Sequence, residues 1–321
     1  MIYPWLDGLS QQLFIQADKG KLHHALLVSG IAGLGKHDLA KHLAQRLLCT
    51  QPHHNGSCGV CHSCQLFLVG NHPDFHQINE TEKRLISIDT VRQLNKVVAE
   101  RAQQGIAKVV VFDNAESFNE SSANALLKTL EEPTDNSYFI LLCESVGRLM
   151  PTITSRCQKI MLHAPVDCLP WLAQQGYSDV PSGLIQLYQG APLAILEAMK
   201  QENATEYEQI AVEFERFIQG QCTSFQLADF INQDLDRRMD WFYYLLHDMQ
   251  KVQLGVAGNK LIFSKFEALL VRCSERWSAV TGYHLAQAWL NLKQQFVSHS
   301  GLKKDLLLSQ YFIDLKNKPG G

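Results

Sequence analysis

No apolar run in this 321-residue sequence approaches the roughly 18 residues needed to span a bilayer. Its first residues, Met1-Ile2-Tyr3-Pro4-Trp5, form neither a basic segment nor an apolar leader, so no secretory signal and no membrane partner are expected. Basic excess is missing as well. Lys and Arg number 29 against 32 Asp and Glu, a net charge of -3, which argues against a surface built to coat nucleic acid. There is no low-complexity tract and no repeat of fixed period. These absences leave a cytoplasmic globular chain of about two to three domains as the expectation.

Nine cysteines are present, an odd number in a chain without a secretory signal, so a disulfide framework is not expected. Cys143, Cys157, Cys168, Cys222 and Cys273 are scattered singly, mostly among apolar neighbours, and read as small buried hydrophobes. The other four crowd together.

The first half alternates. Strand-like apolar runs cover His24 to Ser29, Asp74 to Ile78, Ala107 to Asp113, Ser137 to Cys143 and Gln158 to His163. Helical patterns lie between them at Lys36 to Leu48, Ser87 to Arg101 and Asn119 to Glu131. Short apolar strands alternating with helices imply a parallel sheet covered on both faces. Asn119 is placed to cap its helix, and Pro133 to end it. The composition changes at Ala164-Pro165, which predicts an α/β domain over 1–163. Leu/Ala-rich helical stretches follow, punctuated by Gly176, Pro181-Ser182-Gly183 and Gly190-Ala191-Pro192. They predict a small helical domain over 164–208. Beyond it, 209–321 reads as an all-α domain of four or five longer amphipathic helices ending near Asp314, with a disordered tail from Lys316.

Ser29-Gly30-Ile31-Ala32-Gly33-Leu34-Gly35-Lys36-His37 follows the first strand and opens a helix. In such a phosphate loop the glycines let backbone N–H groups converge on phosphate oxygens, the lysine reaches the terminal phosphates, and a Ser or Thr after it ligates Mg²⁺. Here that residue is His37, a poor ligand for a hard cation. The complementary strand ends in Asp113, where a metal could use it, but the next residue is Asn114, which cannot serve as a general base. Glu116 is two positions further on and is expected to point elsewhere. Hydrolysis is therefore not expected. Binding of ATP or ADP through Gly30, Gly33, Gly35 and Lys36 stays open.

Cys49, then Cys58-Gly59-Val60-Cys61-His62-Ser63-Cys64, has the spacing of a closed tetrahedral site, which predicts a structural Zn²⁺ with no open position for catalysis. His53, His54 and His62 are rival ligands, and an iron–sulfur cluster uses similar spacing. Thr152-Ile153-Thr154-Ser155-Arg156-Cys157 precedes the fifth strand. An arginine at that rim of the sheet could reach a neighbouring subunit's nucleotide, as an arginine finger does.

These pieces in this order, with Asn71-His72-Pro73-Asp74 and Ala123-Asn124-Ala125-Leu126-Leu127-Lys128-Thr129-Leu130-Glu131-Glu132-Pro133, resemble the delta-prime subunits of the bacterial DNA polymerase III clamp loader. The resemblance is strong over about residues 1 to 210 and rests on pattern alone beyond. It implies a P-loop AAA+ base, a small helical lid and a helical collar. It implies a five-subunit ring with gamma/tau motor subunits and a delta subunit, acting on a sliding clamp and primed DNA during replication. It also implies a rigid stator whose Arg156 works in trans. Motor subunits of the family have Ser or Thr after the loop lysine, an acidic pair at the second motif and a lid arginine after the glycine at 190. This chain has His37, Asn114 and Leu193 at those places. The family belongs to a polymerase holoenzyme, yet no acidic pair suited to two-metal nucleotidyl transfer is found. Two competing readings are a weak ATPase and a zinc-containing nucleic-acid-binding module.

Overall fold

In the computed structural model, residues 2–79, 85–104, 107–201, 204–299 and 301–318 are described. The chain divides into two compact units, 1–165 and 166–321.

In chain order the first unit contains α1 (Pro4–Asp18), β1 (Ala25–Ser29), α2 (Lys36–Leu48), α3 (His62–Leu68), β2 (Phe75–Ile78), α4 (Ile88–Ala99), β3 (Lys108–Phe112), α5 (Glu120–Glu131), β4 (Ser137–Cys143), α6 (Pro151–Thr154) and β5 (Gln158–Met161). All five strand-like runs are strands of one parallel sheet, in the order β2-β3-β4-β1-β5. Every residue of β1 and β3 is buried, as a parallel sheet with helices on both faces requires. The helices α4 and α5 close one face, burying Val91, Leu94 and Val98 beside Leu126 and Leu130, and Asn95 Nδ2 donates to Ala125 O at 2.8 Å between them. The Asn119 side chain caps α5 from the Ser122 N–H, and Ser122 Oγ returns the bond to the Asn119 N–H. This reciprocal box is why the helix starts where it does. Three helices of this unit, α1, α3 and the four-residue α6, escaped the sequence reading. In α1, Pro4 takes a first-turn position where its missing N–H costs nothing. The short α3 starts at the Cys61 sulfur, which accepts from the Cys64 N–H.

The second unit holds α7 (Leu169–Gln174), α8 (Ser182–Leu187), α9 (Pro192–Lys200), α10 (Glu208–Ile218), α11 (Ser224–Gln233), α12 (Leu235–Gln253), α13 (Glu267–Arg276), α14 (Ala279–Ser298) and α15 (Lys304–Asn317). Six helices therefore follow residue 207 among the described residues, in place of the four or five expected. The disordered tail expected from Lys316 is corrected in part. Lys316 and Asn317 continue α15, because Leu315 is fully buried and anchors the last turn, while residues 319–321 lie outside the described set. One apolar cluster runs from Cys168 to Leu315, so the core has no break at residue 208. At its centre Phe242 packs against Trp289 and Phe312 with ring centroids 4.6 and 5.3 Å apart. Trp289 Nε1 donates to Met239 O at 2.8 Å and Tyr311 Oη to Leu285 O at 3.1 Å, so both buried polar tips are satisfied. No described helix is long and apolar enough to cross a membrane.

Candidate functional site

The phosphate loop sits where ligands bind in parallel α/β folds, beyond the carboxyl end of a central strand. It leaves β1 and enters α2 at Lys36. Gly33 and Gly35 have φ of 81° and 86°, left-handed values that a side chain resists. Around Gly35 the space is also closed, since an added Cβ would lie 2.8 Å from the Tyr3 ring. Tyr3 stacks on Trp5 at 4.9 Å, and Trp5 Nε1 donates to Leu34 O at 2.9 Å. The amino-terminal segment thus covers the outer side of the loop, a contact that sequence reasoning missed.

Lys36 is buried, and its ammonium donates to the loop's own carbonyls at Gly30 and, at 3.0 Å, Ile31. Burial lowers its pKa, while the charges of Glu144, Cys143 and Glu116 work the other way. His37, next on α2, turns to the end of β3. Its Nδ1 donates to Asp113 Oδ1 at 3.2 Å. Gln77 Nε2, from β2, donates to the other oxygen, Asp113 Oδ2, at 2.7 Å. Both carboxylate oxygens that would face a metal thus accept hydrogen bonds from side chains. Gln77 escaped the sequence reading, because only the β2–β3 pairing brings it beside Asp113.

Asn114 caps the turn after β3 by accepting from the Glu116 N–H at 3.1 Å. Glu116 itself accepts from the N–H groups of Glu144 and Ser145, at 3.0 and 2.8 Å, and from Arg148 Nη1 at 3.1 Å. This carboxylate holds the loop after β4. No lid arginine stands at Leu193, the second residue of α9.

The sulfurs of Cys49, Cys58, Cys61 and Cys64 all lie within 4.8 Å of one another. Cys49 and Cys61 Sγ are 3.9 Å apart, as are Cys58 and Cys64 Sγ. A tetrahedral zinc with bonds of about 2.3 Å separates its sulfurs by about 3.8 Å. The four thiols therefore fit one tetrahedral ion and are too close for an iron–sulfur cube. The backbone N–H groups of Cys58, Cys61 and Cys64 donate to Cys49, Cys58 and Cys61 sulfur at 3.3 to 3.4 Å, which orients the thiolates inward. Burial opposes ionising Cys61, but hydrogen bonds from Thr50 and Cys64 bring it down to about 5. Cys64 is pushed up to about 12, chiefly by burial. The histidines at 53, 54 and 62 are outside this group.

The module is tied to the α/β body twice. Arg46 is buried, pairs with Asp18, donates to His53 O at 3.1 Å and lies over the Phe14 ring at 5.7 Å. On the other side Ser63 Oγ donates to Leu48 O and accepts from His72 Nε2 at 2.8 Å, while His72 Nδ1 accepts from the Asp74 N–H. Asp74, 1% exposed, accepts from the N–H groups of Gln103 and Gln104, each at 2.8 Å. The Asn71–Asp74 segment is thus a structural clasp between the cysteine module and the sheet.

Arg156 lies between α6 and β5, with its side chain about a third exposed at 32%. Nε donates to Glu131 Oε1 at 2.7 Å, Nη2 donates to the same oxygen, and Nη1 donates to Thr152 O at 2.8 Å. The pairing with Glu131 was not anticipated. The five dispersed cysteines are not in the metal group; four are buried and Cys157 is half-buried.

The family model described as DNA polymerase III, delta subunit, matches residues 6–165, and the model for its C terminal region matches residues 184–317. DNA polymerase III subunit delta' of Yersinia pestis is 33% identical, with 97% of this chain and 94% of that protein covered. The Pseudomonas aeruginosa protein of the same name is 33% identical over 99% and 98% of the two chains, and that of Escherichia coli 29% identical over 99% and 97%. Among solved structures, a DNA polymerase III gamma subunit-related protein from Thermotoga maritima superposes with a TM-score of 0.48, at 18% identity, over 96% of this chain and 98% of that one.

Proposed function

Because this chain belongs to the DNA polymerase III subunit delta' family, we propose that it serves as the stator of a clamp loader: it hydrolyses no nucleotide itself and supplies Arg156 in trans to a motor subunit. The observation that carries the first half is the His37–Asp113 contact. An imidazole stands where hydrolysis needs a metal-ligating hydroxyl, and Asp113, the carboxylate that would share the metal, is bonded to it and to Gln77. Glu116, the carboxylate that follows Asn114, is committed to the Glu144 and Ser145 N–H groups and to Arg148, which removes it from the role of water-activating base.

Nucleotide without turnover is part of this reading. ATP or ADP would be held by the backbone around Gly30, Gly33 and Gly35 and by Lys36, whose ammonium would exchange the Gly30 and Ile31 carbonyls for phosphate oxygens. Bound Zn²⁺ at Cys49, Cys58, Cys61 and Cys64 would supply structure and no chemistry. The working assembly is a five-subunit cytoplasmic ring with gamma/tau and delta subunits that loads a sliding clamp on primed DNA. In it, 1–163 acts as base, and 164–208 and 209–321, which share one apolar core, act as lid and collar. Partial exposure at the sheet rim supports Arg156 as the group offered to the neighbour.

Reconstitution with the motor and delta subunits tests this. Arg156→Ala lowers turnover at the one site it serves by roughly 10³-fold or more, seen as loss of that site's share of the total ATPase, while assembly persists. Unchanged ATPase would refute the finger, and turnover by the isolated chain that depends on Lys36 would refute the stator.

A further inference from the structure

All three nitrogens of the Arg156 guanidinium are engaged within its own subunit. Nε and Nη2 converge on Glu131 Oε1, and Nη1 is divided between Thr152 O at 2.8 Å and Ser155 Oγ at 3.3 Å. Glu131 is the last residue of α5, Thr152 belongs to α6 and Ser155 follows it. The guanidinium is therefore strung between the end of one helix and the turn after another.

This arrangement conflicts with donation to a phosphate. A guanidinium stabilises a developing phosphoryl anion through free N–H groups and an unneutralised positive charge. With Glu131 on the Nε–Nη2 edge, that edge is occupied and the charge is balanced by a carboxylate. We infer that Glu131 is a positioning residue that withholds Arg156 within the subunit, so that engagement of a neighbour's nucleotide requires the Arg156–Glu131 pair to open. This inference rests on the reading of Arg156 as a finger. Glu131 touches no substrate and acts only through Arg156.

The pair is weak enough to open. Both side chains are partly exposed, 32% for Arg156 and 49% for Glu131, and such pairs bias an equilibrium only modestly. Removing Glu131 therefore raises the available fraction of the finger by about 1.5- to 5-fold. Thr152 O and Ser155 Oγ remain to aim Nη1, so release from Glu131 frees the arginine without scattering it.

The test uses the reconstituted loader containing this chain as wild type, Glu131→Gln, Glu131→Ser, Glu131→Asp, Arg156→Ala, or Arg156→Ala combined with Glu131→Gln. Steady-state ATPase is followed as kcat and KM separately, at low and high salt. Glu131→Gln and Glu131→Ser should raise the Arg156-dependent share of kcat, the part that Arg156→Ala removes, about 1.5- to 5-fold with little change in KM, and Glu131→Asp should return that share toward wild type. The gain should shrink at high salt, where the wild-type pair is already screened, and vanish in the Arg156→Ala background. Melting temperature is measured for each variant, and either neutral variant that keeps the wild-type value decides the matter. A kcat equal to or below wild type overturns the inference, even where Arg156→Ala lowers the ATPase as the finger reading requires. If Arg156→Ala changes nothing, the finger reading itself fails and this inference with it.

Discussion

His37 Nδ1 lies 3.2 Å from Asp113 Oδ1, across 76 residues of sequence. The residue that replaces the metal-ligating hydroxyl is thus bonded to the carboxylate that would have shared the metal. Nucleotide affinity should accordingly be indifferent to Mg²⁺. Titration of fluorescent ADP with Mg²⁺ and with chelator should agree within about twofold in wild type. His37→Thr should introduce a preference for Mg²⁺ without turnover, because Asn114 and the committed Glu116 remain. A Mg²⁺-dependent wild type would contradict the geometry.

The four clustered thiols should carry one zinc per chain, measurable by elemental analysis. Stripping it with a strong chelator should lower the melting temperature of the first unit by more than about 5 °C, since structural zinc binding is coupled to folding. Cys61→Ser should reproduce the loss. A zinc-free preparation with the same melting temperature would dismiss the structural role.

Gly35→Ala should destabilise the chain by about 1–3 kcal/mol, from a left-handed backbone forced on a side chain and from its approach to Tyr3. Urea unfolding reads the loss. Tyr3→Ala in the same chain relieves only the steric part, so the double variant should recover less than the whole. Full recovery would mean that backbone strain contributes nothing.

Acid should weaken the first unit. Burial lowers the pKa of His42, His72 and His76 below the usual value for histidine. The unfolded chain therefore takes up protons near pH 6.5 that the folded chain refuses. Stability is then fully present above that pH, falls as pH drops through it, and levels off below the folded values. Unfolding at pH 7.5 and 5.5 should show a smaller acid loss in a His42→Gln, His76→Gln double variant than in wild type. Any zinc contribution is common to both chains. An equal loss would assign the slope to other groups.

What could be read before the fold was known was local. Apolar runs and helical spacing located all five strands: β1, β3 and β4 are nearly all apolar and buried, as interior strands of a covered parallel sheet require, whereas the edge strands β2 and β5 carry polar residues and are only partly buried. Asn119 announced its helix because capping acts within one turn. The cysteine spacing announced a cluster of four thiols able to hold one metal ion because they lie within sixteen residues, and His37, Asn114 and Leu193 were visible because each occupies a motif position. The second unit was less legible. Its helices share one apolar cluster, so their number and ends follow from packing more than from punctuation.

By itself, then, the sequence determined the α/β base, its phosphate loop, the thiol set and the candidate arginine, since each depends on neighbours along the chain. Tertiary structure decided what those groups do with one another. It set His37 and Gln77 on Asp113, turned Glu116 to the loop after β4, clasped the cysteine module through His72 and Asp74, and bound Arg156 to Glu131. The physical reason is distance along the chain: the side-chain pairs that hold Asp113, Glu116 and Arg156 join residues 25 to 76 positions apart, and parallel pairing of strands with crossover helices, not local preference, brings such residues together.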